Sequence, residues 1–93
     1  MSYFSLKDQV AIVTGGAAGI GEAISRRLAG AGARVAVADI NLEAAEATAK
    51  TIDGAIAVAL DVTSADSANK AVATVLEKLG RVDILVNNAG IAG

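Results

Sequence analysis

Apolar residues fall along this chain in two alternating rhythms. Four short runs are apolar at almost every position: Val10 to Val13, Arg34 to Ala38 behind its leading charge, Ala55 to Leu60, and Asp83 to Val86 behind its leading acid. Runs of this length, bounded by glycine or polar residues, predict strands buried on both faces. Between them apolar residues return at helical spacing: Ile20, Ala23, Ile24 and Leu28, then Leu42, Ala45, Ala49 and Ile52, then Ala68, Val72, Val75, Leu76 and Leu79. This period predicts three amphipathic helices. The first stops at Gly30-Ala31-Gly32, with Gly32 the better left-handed stop, the second near Gly54 and the third at Gly80. Asn41 is placed to cap the second helix, and Thr63 with Asp66 three residues on has the form of a capping box for the third.

The order is βαβαβαβ. Parallel strands need crossover connections, so this order predicts a parallel sheet with helices on both faces and ligands bound at the carboxyl ends of its strands. Each predicted strand ends in a polar or glycine signal: Gly15 to Gly21 after the first, Asp39 after the second, Asp61 after the third, and Asn87-Asn88-Ala89-Gly90 after the fourth. All four signals therefore fall on one edge. The first, Thr14-Gly15-Gly16-Ala17-Ala18-Gly19-Ile20-Gly21, leads from a strand through a tight turn into a helix N-terminus. Unpaired N–H groups and the helix dipole there favour a phosphate or pyrophosphate. Gly15 allows the chain to leave the strand, Gly19 allows close approach of a ligand, and Gly21 allows the helix to pack near the sheet. The spacing is G-x-x-x-G-x-G, neither G-x-G-x-x-G nor a P-loop, since Glu22 stands where a P-loop needs Lys. A glycine turn that binds nothing is the alternative.

Composition narrows the picture. Ninety-three residues make one small domain, read as residues 1–93, and 54% of them are hydrophobic while 2% are aromatic, so the core is built from Ala, Val, Ile and Leu. With no Cys and no His, disulfides, thiolate metal sites and imidazole bases are excluded within these residues. A net charge of −2 without a basic stripe argues against nucleic acid. No long apolar segment suggests a signal peptide or membrane span, so a cytoplasmic location is expected. Tyr3 and Phe4 are expected to cover part of the sheet, and Lys7, Lys50, Lys70 and Lys78 to be solvated.

Asp39 lies 20 residues beyond Gly19, where a dinucleotide fold places the acid that binds the adenosine ribose. A carboxylate accepts from both ribose hydroxyls and repels a 2′-phosphate, and no Arg or Lys lies between Gly15 and Gly21 or just after Asp39 to neutralise one. This favours NAD over NADP. The alternative is that Asp39 caps the next helix. Asp61 and Val62 could hold adenine through a carboxylate and an N–H, or Asp61 could be an ordinary strand-end acid. Asn87 and Asn88 could bridge strand ends or touch the nicotinamide-side ribose, and the two roles are expected to be divided between them.

Thr14-Gly15-x-x-x-Gly19-Ile20-Gly21, Asp39, Asp61-Val62 and Asn87-Asn88-Ala89-Gly90 together resemble the short-chain dehydrogenase/reductase family. The resemblance covers the whole chain but only the N-terminal half of a family member. It implies a Rossmann fold with strand order 3-2-1-4 and NAD(P)-dependent interconversion of an alcohol and a ketone. By position it implies Gly15, Ala18, Gly19, Ile20 and Gly21 at the pyrophosphate, and Asp39 with Ile40 at the adenine ribose. It places Asp61 and Val62 at adenine, and Asn87, Ala89 and Gly90 at the nicotinamide ribose. The family's catalytic Ser, Tyr-x-x-x-Lys pair and later Asn would follow the fourth strand and have no counterpart here. Tyr3 precedes the first strand and matches nothing in that motif.

Two readings of different kinds follow. The chain is the cofactor-binding half of an NAD-dependent oxidoreductase, binding cofactor without turnover, or it is a stand-alone nucleotide-binding module that self-associates through the exposed edge of its fourth strand. A methyltransferase-like half using S-adenosylmethionine is a remote third, opposed by the Asn87-Asn88-Ala89-Gly90 run.

Overall fold

Two strands, β1 (Val10–Thr14) and β2 (Arg34–Asp39), form the centre of the molecule, and Val10, Ala11, Ile12, Val13, Val35, Ala36, Val37 and Ala38 are each 1% exposed or less. The computed structural model describes residues 5–88. The remaining elements are α1 (Gly19–Gly30), α2 (Leu42–Ala49), β3 (Ile56–Ala59), α3 (Ala65–Leu79) and β4 (Ile84–Val86). The strands form one four-stranded parallel sheet in the order β3-β2-β1-β4. This is the expected Rossmann arrangement.

Alternation along the strands divides the core into two layers. Val10, Ile12, Ala36, Ala38 and Val58 face α3, where they meet Ala71 and Val75. Val13, Val35 and Val37 face the other way, onto Ala45, Ala49 and Ile52, with Ile24 and Leu28 of α1 packed alongside. Burying each large aliphatic side chain here stabilises the fold by about 1.5–3 kcal/mol. Small alanines on the helices let the layers approach closely.

The structure differs from the sequence reading in several places. The third helix is capped by Ser64, not Thr63: the Ser64 hydroxyl accepts from the Ser67 N–H at 3.1 Å. Thr63 is engaged elsewhere, donating its hydroxyl and its N–H to Asp61. On α3 the buried stripe is Ala71 and Val75, with Leu79 half-buried, while Val72 and Leu76 are exposed. A step of one residue turns a helix by about 100°, enough to carry these two past the sheet.

The second helix ends at Ala49 rather than near Gly54, because the Thr51 hydroxyl and N–H both close on the Thr48 carbonyl in a tight turn. Ile52 still reaches the core from that turn. Neither edge strand is buried on both faces: Ala59 of β3 is exposed, and Leu85 of β4 is 65% exposed. It pairs with Ile12 on the α3 side, where α3 does not extend over it.

At the amino edge of the sheet, Asp83 ties β4 to β1. Its Oδ2 accepts from the Val10 N–H at 2.8 Å and its own N–H donates to the Val10 carbonyl at 2.8 Å. Arg81 forks onto both carboxylate oxygens, at 2.7 and 2.8 Å. The Arg81 bonds, and then the Val10 N–H, hold the Asp83 carboxyl below its ordinary value.

Candidate functional site

The turn after β1 and the start of α1 are shaped by glycine. Gly15 and Gly19 adopt left-handed φ values of 63° and 60°, a region L side chains seldom enter. A Cβ on Gly21 would run into the Gly15 carbonyl and come within 2.7 Å of Asn88 Nδ2. Gly21 therefore packs the helix onto its own turn rather than onto the sheet, and this corrects the sequence reading. A Cβ on Gly19 would meet nothing within 4 Å, so the turn is open to solvent there.

The N-terminus of α1 is unlike those of the other helices. Asn41 caps α2, accepting from the Ala44 N–H at 3.0 Å, and Ser64 caps α3. Ala18 occupies the same position on α1 and offers no side-chain acceptor. Among the described residues no side chain caps the first turn of α1, while the helix dipole adds partial positive charge there.

Neighbouring elements hold the turn firmly. The Gly16 N–H donates to the Ala38 carbonyl at 3.0 Å, and the Ala17 N–H donates to Asp39 Oδ2 at 3.2 Å. From α2, the buried Thr48 hydroxyl donates to the Ala17 carbonyl at 2.7 Å. From the end of β4, Asn88 Nδ2 donates to the Gly15 carbonyl at 3.4 Å.

Asp39 closes β2 with its carboxylate between the glycine turn and the next loop. Its Oδ1 accepts from the Asn41 N–H at 3.1 Å, while Asn41 itself caps α2. The helix-cap alternative for Asp39 is thereby set aside. Asp61 accepts on Oδ1 from the Thr63 hydroxyl at 2.6 Å and the Thr63 N–H at 2.9 Å. These bonds, the hydroxyl first, hold its carboxyl below the ordinary value, so it is ionised at neutral pH. The Asp61 N–H donates to the Ser67 hydroxyl at 2.8 Å, fixing the strand end to α3.

Thr14 fastens β1 to the end of β4. It is 4% exposed, donates toward the Val86 carbonyl at 3.2 Å and Asn87 Oδ1 at 3.3 Å, and accepts from the Asn88 N–H at 2.9 Å. Both asparagines therefore bridge strand ends, Asn87 through its Oδ1 and Asn88 through its N–H and Nδ2, and Asn87 is the more exposed of the two. Thr14, Leu60, Val62 and Asn87 help line one groove of about 200 Å³. Ile20, Ile40 and Val62 are exposed by 70%, 74% and 45%. They follow β1, β2 and β3 in the chain, Ile20 in the first turn of α1 and Ile40 and Val62 in the loops after β2 and β3. Ala89 and Gly90 lie outside the described residues, as do Tyr3 and Phe4.

Sequence reasoning missed Thr48 and the central role of Thr14. Thr48 had a signal: it is a hydroxyl among the alanines of an apolar helix face, and a buried hydroxyl requires a partner.

The short chain dehydrogenase family model matches residues 9–93. This chain belongs to the short chain dehydrogenase family. The family member sorbitol dehydrogenase of Cereibacter sphaeroides is 52% identical over 87 residues, covering 92% of this chain and 34% of that protein. The crystal structure of hydroxysteroid dehydrogenase from Escherichia coli superposes with a TM-score of 0.90 at 43% identity, covering 96% of this chain and 38% of that one. The crystal structure of 3-ketoacyl-(acyl-carrier-protein) reductase from Brucella melitensis complexed with NADH superposes with a TM-score of 0.83 at 41% identity, covering 87% and 34%. The chain thus spans about a third of the length of these short chain dehydrogenases. Among the described residues, no helix is long and apolar enough to cross a membrane.

Proposed function

We propose that this chain is the cofactor-binding portion of an oxidoreductase that interconverts an alcohol and a ketone, with NAD preferred over NADP. One observation carries the reading: the uncapped N-terminus of α1 stands beside a carboxylate that is itself fixed to the glycine turn. An anion is accommodated at the first feature and an unphosphorylated ribose diol at the second. The open space at Gly19 fits a group lying against the backbone.

In this reading Gly15, Ala18, Gly19, Ile20 and Gly21 cradle the pyrophosphate, and Asp39 and Ile40 take the adenine ribose. Asp61 and Val62 take the adenine, with the ionised Asp61 accepting from the exocyclic amine. Asn87, Ala89 and Gly90 take the nicotinamide ribose. The cofactor would accept hydride from the alcohol or deliver it to the ketone, and these residues would bind and orient its nicotinamide. A 2′-phosphate brought to Asp39 meets a like charge, which disfavours it by several kcal/mol. The NADH named with the Brucella melitensis reductase structure supports the same cofactor class. We place the proton-transfer residues in the two thirds of the relatives' length that this chain does not span, so the chain alone binds cofactor without turnover.

Calorimetric titration with NAD and NADP tests the reading, with Asp39→Ala as control. NAD is expected to saturate a single site and NADP to bind more weakly. The variant is expected to lose about tenfold in NAD affinity, equivalent to about 1.4 kcal/mol. A chain shown to be folded that binds neither nucleotide overturns the assignment.

A further inference from the structure

We infer that Thr48 is a positioning residue that sets the NAD over NADP preference by holding the glycine turn against Asp39. This inference rests on the cofactor reading above and adds a residue of α2 that is not among those assigned to the nucleotide. Thr48 lies on α2, is 9% exposed, and sits 31 positions from the turn it bonds. Its hydroxyl donates to the Ala17 carbonyl at 2.7 Å, while the Ala17 N–H donates to Asp39 Oδ2 at 3.2 Å. Ala17 is therefore clamped on both sides, by α2 on its carbonyl and by the ribose-facing acid on its N–H. The next residue, Ala18, is the uncapped N-cap of α1. The Thr48 hydroxyl thus acts on the residue that joins the anion-facing helix end to the carboxylate, beside the Gly16 and Asn88 bonds that also hold the turn.

The neighbouring buried positions on this helix, Ala45 and Ala49, carry no polar atom that could replace it. Removing the hydroxyl leaves the Ala17 carbonyl without this donor, and the turn must shift to find another. The shift moves the Ala17 N–H away from Asp39, and the carboxylate loses its orientation toward the ribose hydroxyls.

A purely structural role for Thr48 predicts something different. Loss of global stability weakens NADH and NADPH binding by the same factor, whereas a misplaced Asp39 weakens NADH selectively. The test compares wild type with Thr48→Ser, Thr48→Cys and Thr48→Val in the full chain. Thermal unfolding is recorded first, followed by fluorescence titration with NADH and with NADPH. Thr48→Ser keeps the hydroxyl and is expected to preserve the NADH-to-NADPH affinity ratio within about twofold. Thr48→Val keeps the shape and loses the donor, and the ratio is expected to fall about fivefold to tenfold. Thr48→Cys, a weak donor of similar size, is expected between the two and carries the comparison if the valine variant does not fold.

A valine or cysteine variant that melts earlier yet keeps the wild-type ratio overturns the inference and leaves the cofactor reading standing. A serine variant that loses the ratio as fully as valine overturns it as well. Wild-type chain that is folded and binds neither nucleotide overturns both.

Discussion

Asp61 and Asp83 are both held in the ionised state, and they sit at opposite ends of the sheet. Asp61 is held by the Thr63 hydroxyl and N–H at the carboxyl edge, Asp83 by Arg81 and the Val10 N–H at the amino edge. A carboxylate with a lowered folded pKa stabilises the fold above its unfolded value of about 3.9, and that contribution is lost as pH falls through the folded value. Urea unfolding is therefore expected to show little change in midpoint from about pH 7 to 5 and a decline below about pH 4. Asp83→Asn is expected to lower the midpoint at neutral pH and to flatten the acid decline. A variant that keeps the full wild-type acid sensitivity contradicts this account. At the same scale Gly21 was legible in sequence as a glycine that must be small. Its neighbour was not, because only the folded turn brings the Gly15 carbonyl beneath it.

The helices show why some elements were readable and others shifted. Asn41 announced its cap because it stands alone before an apolar run, and the structure places its Oδ1 on the Ala44 N–H. Thr63 and Ser64 are adjacent capping residues, and only the Asp61 carboxylate decides between them by engaging Thr63. Ser64→Ala is accordingly expected to cost about 0.5–2 kcal/mol in chemical denaturation, the range for losing a helix N-cap. Thr63→Ala is expected to cost less and to raise the Asp61 pKa. Equal destabilisation by the two, with Asp61 unmoved in an NMR titration, contradicts the assignment. On α3 the period identified a helix and one broad apolar face that included Val72 and Leu76. Which part of that face meets the sheet depends on where the crossover sets the helix down, and that is a property of three-dimensional packing. The Thr48 and Asp83 links are legible only in part for the same reason: each joins residues far apart in sequence.

On the scale of the whole molecule, the β4 side is the incompletely covered side. Leu85, Leu76 and Val72 are exposed by 65%, 47% and 39%, next to a strand that pairs on one side only within the described sheet. Apolar surface beside an unpaired parallel strand favours association. Sedimentation velocity of the chain is expected to show concentration-dependent self-association that Leu85→Lys weakens. A chain that stays monomeric over a hundredfold range of concentration, about 1 to 100 μM across the usual span of weak contacts, contradicts it. The parallel sheet and its shared carboxyl edge were legible from the alternation of strands and helices, since βαβ crossovers leave few arrangements, whereas the strand order came only from the family resemblance.

Four segments far apart in sequence are expected to form one nucleotide site. Backbone amide chemical-shift mapping during titration with NAD tests it most directly. Shifts are expected together, along one saturation curve, at Gly15 to Gly21, at Asp39 and Ile40, at Asp61 and Val62, and at Asn87 to Gly90. Saturable shifts confined to another face, with the glycine turn and Asp39 unmoved, contradict it.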